Sequence, residues 1–307
     1  MCAKWYQVAQ DTSLWSGCSL VLTKENKEEL EECLLLPRFF KAAKLKLFKA
    51  KLTFQDFTKI CNSRIKSLTV TKCNLKGMQA KDLAKFVNTF QNFNFDHSRT
   101  SSFQLKCILT SISPETNLKI LDMSDIDLSN ISPEILSEAV NIIEEVNLEM
   151  GFQASLTTNQ IKAILSRLAH FPNSKLKKLN LSKNVLYNVP SDLLAFGVNK
   201  LEKVELRGID VFREQMIDIF EIVAEKTNLK SLDISENNLV NVQPQSLIKS
   251  IVTLEEVTMK NVQVSEEQFL LISKVVDNLT YSNSRYIMDE AMLYYTISEQ
   301  FAGGKIL

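Results

Sequence analysis

Apolar side chains along this chain fall into short clusters with a constant internal spacing. Leu176, Leu179, Leu181 and Leu186 bracket Asn184, and Leu229, Leu232, Ile234 and Leu239 bracket Asn237 in the same way. The middle pair of each cluster is separated by one polar residue, which is the period of a strand with one buried face. Looser copies run through Leu68, Leu121, Val146, Val204 and Val257, with weaker ones around Leu45, Phe93 and Leu279. The second apolar positions stand at 45, 68, 93, 121, 146, 179, 204, 232, 257 and 279, at intervals of 23, 25, 28, 25, 33, 25, 28, 25 and 22. Between the clusters the period changes. The stretches 212–223 and 265–276 carry apolar residues at helical spacing, and Pro133 and Pro190 suit the first turn of a helix. The pattern therefore predicts about ten strand-helix units.

The two best copies read L-x-x-L-x-L-x-x-N-x-L, which is similar to the signature of the leucine-rich repeat, and the unit length resembles its ribonuclease-inhibitor-like class. That resemblance implies an α/β solenoid: a curved horseshoe with parallel strands on the concave face and helices outside. One such unit cannot close a core alone, so its leucines must stack on those of its neighbours. The asparagine position is filled as Asn only at 184 and 237; elsewhere Cys73, Ile126, Gly151, Ile209 or Val262 stands there.

Ahead of the repeats come Cys2, Trp5, Val8, Ala9, Asp11, Leu14 and Trp15. Their order resembles the closing helix and exit of an F-box, and an F-box followed by such repeats is the arrangement of the F-box/leucine-rich-repeat family. The resemblance implies a substrate-recognition subunit of an SCF-type ubiquitin ligase, with Cys2, Trp5, Leu14 and Trp15 contacting the Skp-family adaptor of the cullin scaffold and the repeats holding a protein substrate. The family's opening Leu-Pro and first two helices would lie upstream of Met1, so docking by these residues alone is expected to be weak. The same residues also fit a plain N-terminal cap, with Trp5 and Trp15 sealing the first repeat, and a leucine-rich-repeat interaction scaffold independent of ubiquitin ligases is the alternative function. The expected organisation is a partial F-box or cap over 1–22, repeats over 23–286, and a capping helix and tail over 287–307.

Charge narrows the partner class. The chain has 307 residues, with 36 Lys+Arg against 36 Asp+Glu. That balance disfavours a generally basic nucleic-acid binder or a polybasic membrane sensor. No apolar run approaches the roughly 18 residues of a membrane helix, and the N-terminus does not resemble a signal peptide. The cysteines at 2, 18, 33, 61, 73 and 107 form no Cys-x-x-Cys pair, so reduced thiols in the cytoplasm or nucleus are expected, without metal or cofactor. Only His97 and His170 are available as imidazole bases, far apart in sequence, and no phosphate-cradling glycine pattern is present. A catalytic role is not expected. What remains is the row of polar residues between the leucines, which should project from the strands with alternating charge signs. Lys178, Asn180, Ser182, Glu205, Arg207, Asp233 and Ser235 form its densest part and are the expected substrate-binding face, with Arg207 as anchor.

Overall fold

The computed structural model describes residues 19–23, 44–50, 52–63, 65–151, 156–171, 173–225, 227–279, 285–288 and 294–295. Cys2, Trp5, Leu14 and Trp15 lie outside the described residues. The chain divides into two compact units, Met1–Ser155 and Leu156–Leu307.

In the first unit six parallel strands follow one another in chain order: β1 (Ser19–Thr23), β2 (Lys44–Phe48), β3 (Ser67–Thr71), β4 (Asn92–Asn94), β5 (Ile120–Asp122) and β6 (Glu145–Asn147). Helices α1 (Phe54–Cys61), α2 (Ala80–Val87), α3 (Ser102–Ser111) and α4 (Pro133–Ile142) return the chain between them. In the second unit β7 (Lys178–Asn180), β8 (Lys203–Glu205), β9 (Ser231–Asp233) and β10 (Glu256–Met259) form the same kind of sheet. They alternate with α5 (Thr158–His170), α6 (Ser191–Asn199), α7 (Arg213–Glu225), α8 (Pro244–Thr253) and α9 (Glu266–Leu279). A short strand β11 (Gln263–Val264) pairs with β13 (Tyr294–Tyr295), and β12 (Arg285–Met288) closes on β10. Strand-helix alternation with parallel neighbours makes this an α/β leucine-rich-repeat solenoid.

Register confirms nine of the ten strand positions. Leu45 stands opposite Leu68, Leu68 opposite Phe93, Phe93 opposite Leu121, and Leu121 opposite Val146. In the second unit Leu179, Val204, Leu232 and Val257 are aligned in turn. All nine are buried, and each row of equivalent side chains forms a layer of shared core. The tenth position is corrected: Leu279 ends α9, and Tyr286 stands opposite Val257. Phe269, Ile272, Val276 and Leu279 recur at three- and four-residue intervals, so the helical stripe runs through the residues expected to begin a strand. Strand β1, paired with β2 through Leu20 opposite Leu45, was not expected.

Eight strands, β2–β5 and β7–β10, leave the sheet through a sharp turn. Lys49, Lys72, His97, Asp125, Lys183, Gly208, Glu236 and Asn261 occupy the left-handed region, with φ between 52° and 61°. Only glycine enters that region freely, so seven non-glycine residues there must be held by their neighbours. The holding bonds run between repeats: the Lys183 N–H donates to Arg207 O at 2.8 Å, Gly208 N–H to Ser235 O at 2.9 Å and Glu236 N–H to Lys260 O at 2.7 Å.

Two buried amide ladders finish the turns. Asn237 donates to Leu206 O, Ile234 O and Ser235 O and accepts from the Ile209 N–H; Asn184 donates to Leu181 O and Ser182 O and accepts from the Leu156 N–H. Ser98 and Cys73 take this place in the first unit, with Ser98 Oγ donating to Val70 O and accepting from the Cys73 N–H. The second ladder is glutamine. Gln104, Gln215 and Gln268 each accept from the residue three before them and donate to two carbonyls of the preceding repeat. Gln160 caps α5 in the same position. From α3 onward these glutamines begin every second helix, with Asp56 in that position in α1, so the pattern recurs over a pair of repeats. Helices of adjacent repeats approach closely: a Cβ at Gly197 of α6 would stand 2.6 Å from Leu165 Cδ2 of α5.

Candidate functional site

The expected face lies wholly within the second unit, on β7–β9 and the turns after them. Strand register arranges its residues in rows. Asn180, Glu205 and Asp233 are direct neighbours across three strands, and Lys178, Lys203 and Ser231 form the row before them. A third row, Ser182, Arg207 and Ser235, follows in the turns, tied by the bonds described above. Parallel strands stand about 4.8 Å apart, so the rows make one continuous surface.

Within that surface the residues differ in access. Lys178 and Arg207 are exposed, Glu205 and Asp233 half-buried, and Asn180 is 9% exposed. Ser182 and Ser235, expected to project, are each 2% exposed. Their hydroxyls accept the Arg207 N–H at 3.1 Å and the Lys260 N–H at 3.0 Å, so they brace the adjoining turn and offer no open surface. Asn180 Oδ1 and Asp233 Oδ1 accept the N–H two residues on, at 2.8 and 2.9 Å. Asn94, Asp122 and Asn147 do the same in the first unit. A small side-chain carbonyl or carboxylate at this position is therefore part of the turn.

Arg207 has a partner of its own. Its Nη2 donates to Glu236 Oε1 at 2.5 Å, reaching the left-handed turn of the following repeat. That hydrogen bond, with the added charge of Arg207 and Lys183, holds the Glu236 carboxyl below the usual carboxylate range. Glu205, the acid nearest to Arg207 in sequence, instead faces Lys203 Nζ at 3.1 Å. Glu236 was missed because contact across a repeat depends on register and not on nearness in sequence. Lys260 continues the third row, exposed, and its N–H bond to Ser235 fixes where it stands. The face thus presents Lys178, Lys203, Arg207 and Lys260 around Glu205, Asp233 and Glu236, a mixed-sign surface suited to complementary charges on a folded partner.

One other cluster carries ligand atoms. His97 Nε2 stands 3.1 Å from Asp125 Oδ2, its Nδ1 meets Asp96 Oδ1, and the three ligand atoms lie within 4.8 Å of one another. The chemistry of an imidazole and two carboxylates suits a divalent ion, yet the same groups already satisfy one another as a bridge between adjacent turns. His170 is elsewhere, its Nδ1 at 2.7 Å from Ser166 O on its own helix.

Comparison with known proteins agrees with the fold. The Leucine Rich Repeat family model matches residues 228–250, the strand and helix around Asn237. No F-box is detected. Among solved structures, the leucine-rich repeat-containing protein LegL7 from Legionella pneumophila is similar, with a TM-score of 0.56 and 16% identity over 90% of this chain and 92% of that one. No curated protein matches. No helix among the described residues is long and apolar enough to cross a membrane.

Proposed function

We propose that this protein is a leucine-rich-repeat interaction scaffold that holds a protein partner on the outward face of β7–β10. The observation that carries this is the arrangement of Lys178, Lys203, Arg207 and Lys260 with Glu205, Asp233 and Glu236 on neighbouring repeats, rigidly placed by buried hydrogen bonds beneath them. Such a surface recognises matched charges and excludes partners of the wrong pattern. Because Arg207 already pairs with Glu236, a partner carboxylate competes with a weak exposed ion pair, worth less than about 1 kcal/mol.

Reversing two charges, Lys178→Glu with Arg207→Glu, tests the reading. Affinity purification should lose its partners with this variant while circular dichroism and thermal unfolding stay unchanged. Partners retained by that variant but lost on Phe196→Asp or Val252→Asp, both exposed on helices, would move recognition to the helical side.

A second reading rests on the F-box resemblance of Cys2, Trp5, Leu14 and Trp15: the scaffold delivers its partner, in the cytoplasm or nucleus, to a Skp-family adaptor and cullin. Co-purification of adaptor and cullin, lost on Trp5→Ala with Trp15→Ala, supports it. Their absence from the purified complex rejects it and leaves the scaffold reading standing.

A further inference from the structure

The sequence predicts alternating signs along the whole array, but on the first unit the signs segregate. On β2 the buried Leu45 and Leu47 turn Lys44 and Lys46 outward, both exposed. Lys66 is exposed just before β3, and Lys49 and Lys72 are exposed in consecutive left-handed turns, joined by the bond from the Lys49 N–H to Thr71 O. Among the described residues none of these five lysines has a carboxylate partner. On β4–β6 and their turns the half-buried charged side chains are instead Asp96, Asp122, Asp125, Glu145 and Glu149. Lys119, which stands there, is paired with Glu144 at 3.9 Å.

Five like charges on and beside two neighbouring strands repel one another, and no acid among the described residues relieves this. Register sets the rest of the patch. Val21 of β1, 60% exposed, is opposite Lys46, and Thr69 flanks Lys46 on the other side. Phe48 is half-buried, with Lys49 Nζ at 5.1 Å from its ring centre. Among the described residues the basic strip is thus two strands wide and carries apolar surface beside its charge.

We propose that β2 and β3 form a docking strip for an acidic protein segment, one rich in Asp and Glu with an apolar side chain for Val21 and Phe48. Charge complementarity selects the sign of the occupant, and the acidic neighbours select its class. Strands β4–β6 begin about 5 Å from β3 and lie within a Debye length or so of it, so an extended polyanion such as a nucleic acid would cross from attraction into repulsion. A short acidic segment fits the strip without doing so. This deepens the reading of the strand face as a protein-binding surface, at a place separate from the Lys178–Arg207 face and testable without it.

Fluorescence anisotropy on the full chain tests the strip with three labelled probes: a twelve-residue Asp/Glu-rich peptide containing Leu and Phe, its Asn/Gln counterpart, and a single-stranded oligonucleotide of equal charge. The acidic peptide should bind, weaken as salt rises, and lose at least about 10-fold in affinity on Lys46→Glu with Lys49→Glu and Lys72→Glu. The Asn/Gln peptide should not bind. Should the charge-reversed chain unfold, Lys46→Gln with Lys49→Gln and Lys72→Gln should still lose several-fold. Lys178→Glu with Arg207→Glu should leave peptide binding intact, so loss of cellular partners in that variant bears on the other face alone. Failure of the acidic peptide to bind, equal binding by the lysine variants, or tighter binding of the oligonucleotide overturns the proposal.

Discussion

Arg207 and Glu236, twenty-nine residues apart in the chain, are joined by a 2.5 Å ion pair that ties the outward row of one repeat to the left-handed turn of the next. Arg207→Ala should let the Glu236 carboxyl titrate nearer the usual carboxylate range, measurable by carboxyl-resonance NMR. The folded value is depressed, so the stability it contributes is full above the unfolded carboxylate pKa and is lost as pH falls through the folded one. Both side chains are substantially exposed, so the loss at neutral pH should stay within about 1 kcal/mol. An unmoved Glu236 titration would contradict the pairing.

Asn237→Ala should be far more damaging. It strips partners from three carbonyls and from the Ile209 N–H inside a buried turn. The expected loss in urea unfolding is about 2–4 kcal/mol, against roughly 0.5 kcal/mol for an exposed control such as Asn238→Ala. Equal losses would show that the ladder carries no stability.

Gln215 links α7 to the repeat before it, donating to Leu186 O and Val189 O at 2.7 and 2.6 Å and accepting from the Phe212 N–H. Gln215→Leu keeps the volume and removes all three bonds. Hydrogen exchange at the Phe212 amide should accelerate at least 10-fold, with global stability lower by about 1–3 kcal/mol. Unchanged protection at Phe212 would rule out the capping role.

Cys73 is fully buried, and burial pushes its thiol up to about 11 while backbone hydrogen bonds from Ala50 and Lys49 oppose the shift only in part. The folded state keeps this proton longer than the unfolded one. Its contribution is therefore intact below about pH 9 and declines as pH rises toward 11, by on the order of 2 kcal/mol in total. Comparing wild type with Cys73→Ala, the difference in unfolding midpoint between pH 8 and pH 10.5 should reveal this slope, and Cys73 should resist alkylation until the chain unfolds. Equal slopes in the two proteins would contradict it.

The sequence by itself determined the repeat, nine of its strands and most of its core. Leu45 through Val257 could be placed because strand alternation is local and because a repeat forces every copy into one register. Asn184 and Asn237 were legible for the same reason. The glutamine ladder was also written there, as Ser101 and Gln104, and Ser265 and Gln268, a capping spacing whose second partner lies in the preceding repeat. The tertiary structure decided which outward residues are open. Ser182 and Ser235 share the alternation of Arg207, yet the adjoining turn comes close enough to bury their hydroxyls on its N–H groups. It also decided that Arg207 meets Glu236, that α9 continues through Leu279, and that lysines on and beside β2 and β3 gather without a counter-charge among the described residues. Each of these depends on which residue of one repeat faces which residue of another, and that pairing is set by packing of whole repeats rather than by any local pattern.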